Sequence, residues 1–228
     1  GLPNVIFHLA YSPDGRFLTA TLGAEGVRIF RADDGTLTGK DRDYGGRSNW
    51  ADFASDGRLI TTCLDGFIRL YAPVNVHVNA QIGDGSLKLL AKAGAPGGKQ
   101  PFSAVFSPDG SKIAVGFADS TKVDVLSAKD LSYLYSPDTE SVNNGDISSV
   151  AWSHDGKQLY AGGRYYKDGQ FPILSWSQAG KGRVQELKGA DNTIMHILPL
   201  NSGGLVFGAY DPAFGILSPS GERTLFQA

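Results

Sequence analysis

The chain has 228 residues, of which 41% are hydrophobic and 19% charged, and this length is enough to build the core of one large domain. Its 21 basic and 23 acidic residues leave a net charge of −2, and because the basic residues are scattered, nucleic acid is not expected as a partner. Cys63 is the only cysteine, which excludes an intrachain disulfide and a cysteine-based zinc site supplied by this chain alone.

The absence of several sequence motifs indicates which locations, partners and cofactors to expect. It contains no apolar run long enough to span a membrane and no signal-peptide pattern, so we expect no membrane partner. The unpaired cysteine fits a reducing compartment, which favours a cytoplasmic location. The sequence carries no nucleophile elbow, phosphate-binding loop or calcium-binding loop, so we expect no cofactor and no catalytic residue.

Short apolar runs separated by turns, with 30 glycines and 11 prolines, predict many short strands. In chain order, similar turn motifs end at five glycines: Gly15 ("YSPDG"), Gly57 ("FASDG"), Gly110 ("FSPDG"), Gly156 ("WSHDG") and, in degenerate form, Gly203 ("LNSG"). Their spacings of 42, 53, 46 and 47 residues match the period of a four-stranded propeller blade, with an insertion in the second unit.

Each unit predicts four strands in the same order, the first before the turn motif and the second directly after it. The first strands are predicted at 5–11, 49–53, 102–106, 147–152 and 194–200. We expect a single domain over residues 1–228 with five blades, at about 1–38, 45–92, 99–136, 144–188 and 191–228. The insertion at 72–100 alternates apolar and polar residues, which predicts an extra hairpin or an outer strand pair.

The residues of the turn motif are those that a tight turn between two strands requires. Serine suits the first position of a type I turn, proline presets φ at the second, aspartate suits the third, and glycine takes the left-handed conformation that starts the next strand. The aspartates of these turns are therefore expected to be structural residues dispersed around one rim: Asp14, Asp56, Asp109 and Asp155.

These repeats resemble the WD40 family, most clearly at 12–35, 55–73 and 102–130. The resemblance implies an all-β propeller of four-stranded antiparallel blades and a role as a protein interaction scaffold. It also implies structural acidic residues between the second and third strands: Glu25, Asp65, Asp119, Asp168 and Asp211. The Gly-His and Trp-Asp pairs of the family are missing, and TolB-like propellers, which share a "WSPDGK" motif, are the alternative.

Five blades raise the question of ring closure, because an unclosed ring leaves an apolar sheet face bare at each end. A closed ring of five, a segment of a larger propeller and partial rings that complete one another by self-association are the three arrangements. We favour the last two, because most members of the family have seven or eight blades.

Two loops supply the candidate partner-binding residues. The segment "KDRDYGGRSNW" at 40–50 carries Arg47 and Trp50, and "GGRYYKDGQF" at 162–171 carries Arg164, Tyr165 and Tyr166. Arginine and aromatic residues dominate interface energetics, so we predict that these five side chains contact an unidentified protein partner. Ordinary packing of Trp50 and of the loop tyrosines is the structural alternative.

His8 and His196 occupy the same position of the first strand in units one and five. In a closed ring of five they would lie side by side near the axis, placed to bind a metal or to titrate together. This keeps a second hypothesis open, a hydrolase or lactonase-like propeller enzyme with a metal or acid-base site in its channel. Packing at an imperfect blade junction is the alternative reading of the two histidines.

Overall fold

The computed structural model describes residues 2–74 and 87–228, which form five antiparallel sheets of four strands joined by tight turns. Within every sheet the strands follow one another in simple chain order. The predicted all-β propeller of four-stranded blades is thereby confirmed. One short helical turn, α1 (Ser177–Gly180), is also present. Over these two ranges, no helix has the length and apolar character needed to cross a bilayer.

The sheets are numbered 1 to 5 along the chain. Sheet 1 contains β1 (His8–Tyr11), β2 (Phe17–Thr21), β3 (Val27–Arg31) and β4 (Leu37–Asp41). Sheet 2 contains β5 (Ser48–Phe53), β6 (Leu59–Cys63), β7 (Ile68–Tyr71) and β8 (Leu89–Ala93). Sheet 3 contains β9 (Pro101–Phe106), β10 (Lys112–Phe117), β11 (Val123–Ser127) and β12 (Tyr133–Tyr135).

The C-terminal sheets follow the same scheme. Sheet 4 contains β13 (Ser149–Trp152), β14 (Leu159–Gly162), β15 (Phe171–Trp176) and β16 (Val184–Ala190). Sheet 5 contains β17 (Ile194–Pro199), β18 (Leu205–Ala209), β19 (Phe214–Leu217) and β20 (Arg223–Gln227). The hairpin predicted within the insertion at 72–100 falls largely on residues 75–86, which lie outside the described residues.

The repeated turn motif closes the hairpin between the first two strands of each sheet. In sheet 3 the Gly110 N–H donates to the carbonyl of Ser107 at 2.8 Å, with Gly110 at a φ of 67°. The Asp109 carboxylate accepts hydrogen bonds from the Ser107 hydroxyl at 2.5 Å and the Ser111 N–H at 3.0 Å. The Ser107 and Ser111 bonds lower the pKa of Asp109 to about 2. All of these contacts stay within one turn, which supports the structural reading of the motif.

Consecutive sheets pack face to face through apolar clusters. Phe17 and Ile29 of sheet 1 pack with Phe53 of sheet 2. The next three junctions are built in the same way, around Leu70 and Phe117, Val125 and Trp176, and Ile173 and Phe207. Because each large apolar side chain contributes roughly 1.5–3 kcal/mol when fully buried, these junctions are the main stabilising contacts between blades.

The outer faces of sheets 1 and 5 are open. In β1, Ala10 packs towards sheet 2, while Leu9 and Tyr11 on the opposite side of the strand are 50% and 63% exposed. In sheet 5, Leu198 and Phe214 are exposed in the same way. Within residues 2–74 and 87–228, no cluster of buried apolar residues joins sheet 1 to sheet 5.

Candidate functional site

The first strands of the five sheets, β1, β5, β9, β13 and β17, line a central channel of about 650 Å³. A second cavity of about 500 Å³, here called the mouth, opens where these inner strands begin. It is lined by Arg47, Phe102, Ala118, Asp146, Ser148, Arg164, Asn192, Thr193, Met195 and Tyr210. Most of these residues lie in connections between successive sheets or between second and third strands, which all open on this one face.

Arg47 and Arg164, two of the predicted partner-binding residues, both line the mouth. Arg164 Nε donates to the buried Asp146 carboxylate, and Arg164 Nη2 donates to the carbonyl of Ala118 at 3.2 Å. Arg47 Nε donates to Asn49 Oδ1 at 2.8 Å, and the guanidinium carbon of Arg47 lies 4.8 Å from the centre of the Phe7 ring. Both guanidinium groups remain accessible to solvent at this face.

The two loop tyrosines differ from each other in exposure. Tyr165 is only 1% exposed, and its hydroxyl donates to Glu186 at 3.2 Å. Burial and the neighbouring Glu186 raise the pKa of Tyr165. The Tyr165 ring packs between sheets 3 and 4, which agrees with the alternative of ordinary packing for this residue. Tyr166 is exposed and lies 5.3 Å from the Phe171 ring in an edge-to-face contact.

Trp50 lies below the mouth, in the channel, and is only 8% exposed. The His8 ring stacks on Trp50 with centroids 3.9 Å apart, and the edge of the His196 ring meets Trp50 at 5.2 Å. The two imidazoles are 6.4 Å apart, so His8 and His196 are neighbours near the axis. These contacts join inner strands of sheets 1, 2 and 5, which agrees with the packing interpretation.

Both imidazoles are neutral near pH 7. Burial, with a smaller effect of the His196 charge, lowers the pKa of His8 to about 4, and burial also lowers the pKa of His196. Across the described parts of the chain, no three His, Cys, Asp or Glu side chains are grouped closely enough to hold a metal. The histidine pair therefore does not supply the donor set of a metal site with the residues described.

Comparisons with known proteins agree with the propeller geometry. The family model "WD domain, G-beta repeat" matches residues 136–171. These findings show a WD40 repeat at residues 136–171 within a β-propeller fold. A chain from the crystal structure of a mitotic checkpoint complex superposes on this propeller with a TM-score of 0.78 and 18% identity. The match covers 99% of the present chain and 65% of that chain. A search of curated proteins found no match.

Several residues of this propeller matter for the site although the sequence did not single them out. Asp146, Met195 and Tyr210 line the mouth. They lie in or beside the loops that join successive sheets or join second to third strands, as Arg47 and Arg164 do. This shared position in the repeat could have predicted them from the sequence.

Asp52 is a second residue that the sequence did not indicate. It faces the channel, and its Oδ2 accepts the Phe106 N–H at 2.8 Å. Burial raises the pKa of Asp52 to about 6.

Proposed function

We propose that this WD40 propeller is a non-catalytic scaffold that binds a protein partner through the loop face around the mouth. The supporting observation is a cavity of about 500 Å³ whose rim combines guanidinium groups with exposed apolar side chains. Tyr210 is 75% exposed and Met195 is 42% exposed on this rim. Large aromatic and Met side chains together with Arg are the residue types enriched at protein interfaces.

The loops of this face are held in place by hydrogen bonds. Asp119 accepts backbone N–H groups of Lys99 and Gln100, both at 3.0 Å, and Asp65 accepts the Gly45 N–H at 3.1 Å. Asp65 and Asp119 are two of the acidic turn residues that the WD40 resemblance implied. A rigid loop loses little conformational entropy on binding, so the face is suited to presenting side chains to a partner.

The alternative of a hydrolase or lactonase-like enzyme would need an acid-base or metal centre in the channel. His8 and His196 pack on Trp50, and nothing else among the described channel residues completes a metal-binding set with them. The mouth, by contrast, offers accessible groups of the kind that interfaces use. The scaffold is therefore the better-supported function.

Affinity purification tests this proposal. The tagged chain, the Tyr210→Ser variant and the Tyr133→Ser variant serve as baits, and captured proteins are quantified by mass spectrometry. Tyr133 is a matched control because it is also an exposed tyrosine but lies on β12, the outermost strand of sheet 3. We expect Tyr210→Ser to lose proteins that Tyr133→Ser retains. An identical set of captured proteins for all three baits would refute the proposal.

A further inference from the structure

The mouth carries an uneven charge. Among its described lining residues, the charged groups are Arg47, Arg164 and Asp146. The Asp146 side chain is only 4% exposed and is already paired with Arg164. The Arg47 side chain forms no ion pair with any described residue, and the hydrogen bond that it donates to Asn49 Oδ1 uses Nε alone. The two Nη groups of Arg47 are therefore free, within the described chain, to donate to an incoming group.

Apolar surface surrounds these cations. Phe102, Met195 and Tyr210 line the same cavity, and the last two are well exposed. The backbone of Tyr210 is fixed, because its N–H donates to the carbonyl of Thr193 at 2.9 Å. A ligand in the mouth would thus contact the guanidinium group of Arg47 beside the apolar side chains of Met195 and Tyr210, which sheet 5 holds in position.

We infer that the mouth binds an extended segment of a partner protein in which an acidic side chain stands next to an aromatic or aliphatic one. The carboxylate accepts hydrogen bonds from Arg47, in the planar geometry that arginine offers to carboxylates. The neighbouring apolar side chain packs on Met195 and Tyr210. This inference rests on the proposed function, to which it adds the chemistry of the partner.

The charge distribution favours a peptide over a polyanion. Two guanidinium groups, one of them neutralised by Asp146, are too few for the multiple phosphate contacts that hold a nucleic acid. The whole chain carries a net charge of −2, with its basic residues scattered. A single acidic side chain flanked by apolar groups matches both the charge and the apolar wall of the mouth.

Selection from a displayed library of random heptapeptides tests this inference. The baits are the unaltered chain, Arg47→Gln, Tyr210→Ser and Arg183→Gln. Arg183 is the matched control, since it is an exposed arginine between β15 and β16, a connection that opens on the opposite face. We expect the unaltered chain to enrich peptides with Asp or Glu within two positions of an aromatic or aliphatic residue. Their affinity, measured by fluorescence anisotropy, should fall about tenfold in Arg47→Gln and stay unchanged in Arg183→Gln.

The outcomes separate the inference from the proposed function. Enriched peptides without acidic residues, lost on Tyr210→Ser but not on Arg47→Gln, would overturn the inference and leave the scaffold function standing. Equal binding of acidic peptides to the Arg47→Gln and unaltered chains would also overturn the inference. If Tyr210→Ser enriches the same peptides as the unaltered chain, or if nothing is enriched, both the inference and the mouth as a binding face are wrong. Displacement of the peptides by heparin at equimolar concentration would overturn the inference in favour of a polyanion.

Discussion

Arg69 is a buried cation that stabilises the loop before β5, which carries Arg47. It is 1% exposed, and its Nη2 donates to Asp65 Oδ2 at 2.6 Å and to the Asp43 carbonyl at 2.5 Å. Its guanidinium carbon also lies 4.1 Å from the centre of the Tyr44 ring. Burial alone would raise the pKa of Asp65, but Arg69 and two backbone N–H groups outweigh it and lower that pKa to about 2. The pair therefore ties the β6–β7 turn to the loop that carries Arg47.

Replacing Arg69 with Met should destabilise the protein by about 3–5 kcal/mol, because it leaves the Asp65 carboxylate buried without its cation. The matched control is Arg31→Met, which removes an exposed ion pair with Asp33 and should cost much less, because solvent screens that pair. Urea unfolding followed by tryptophan fluorescence measures both free energies of unfolding. Similar losses for the two variants would show that the buried pair has no special role.

His8 should make stability depend on pH. Its pKa in the folded protein is about 4, below the ordinary value of 6.5, so the unfolded chain takes up the proton first as the pH falls. The stability that neutral His8 contributes is thus complete above pH 6.5 and is lost as the pH falls towards 4. Asp52, with its pKa raised to about 6, acts in the opposite direction over a similar range, so wild type alone does not isolate the effect.

The His8→Phe variant separates the two groups, because phenylalanine keeps an aromatic ring against Trp50 and retains Asp52. Between pH 6.5 and 4 we expect the unaltered chain to lose about 2 kcal/mol more free energy of unfolding than the variant. Thermal unfolding at pH 7, 5.5 and 4 checks this expectation. Parallel pH profiles for the two chains would mean that protonation of His8 does not destabilise the folded protein.

At the scale of single elements, the turn before each second strand depends on a glycine in the left-handed region. Gly15 has a φ of 70°, and a Cβ added there would meet no atom within 4 Å. Gly15→Ala should therefore cost about 1–2 kcal/mol through backbone strain alone. Gly15→Asn should cost less, since asparagine tolerates this conformation better. Denaturant unfolding that ranks Asn below Ala in stability would contradict this account.

The turns and strands could be predicted from the sequence because their causes are local. The hydrogen bonds of Asp109 and Gly110 all lie within residues 107–111, and the alternation of apolar residues along a strand is visible in the sequence itself. Tyr165 could not be placed in this way, since its burial depends on Val142 and Glu186, which precede and follow it by about twenty residues. The stacking of His8 on Trp50 likewise joins two sheets and leaves no local pattern.

The candidate site was predictable only in part, for the same reason. The position of Arg47 and Arg164 in connections on one face follows from strand order, and the structure places both at the mouth. Asp146 pairs with Arg164, whereas the Nη groups of Arg47 are unpaired among the described residues. This difference depends on side-chain geometry, which the sequence does not show. The difference between these two arginines, on which the acidic-peptide inference rests, is therefore a structural finding.

At the scale of the whole molecule, the outer faces of sheets 1 and 5 remain to be covered. Each is apolar, with Leu9 and Tyr11 on one and Leu198 and Phe214 on the other. Elsewhere in the described stack, every apolar sheet face meets a neighbouring sheet. If the stacking of blades continued from one copy to the next, the outer face of sheet 5 in one copy would pack on the outer face of sheet 1 in a second copy.

We therefore expect the chain to self-associate, since burying these side chains removes apolar surface from water at roughly 25 cal/mol per Å². Static light scattering should give a mass that rises above the monomer's 24.2 kDa with increasing concentration. The double variant Leu9→Lys, Leu198→Lys should remain near the monomer mass, because it places an ammonium group on each open face. Leu134→Lys, on the exposed outer strand β12, is the control and should associate like the unaltered chain. A monomer mass at all concentrations, or equal association of the double variant, would show that a second copy does not cover these faces.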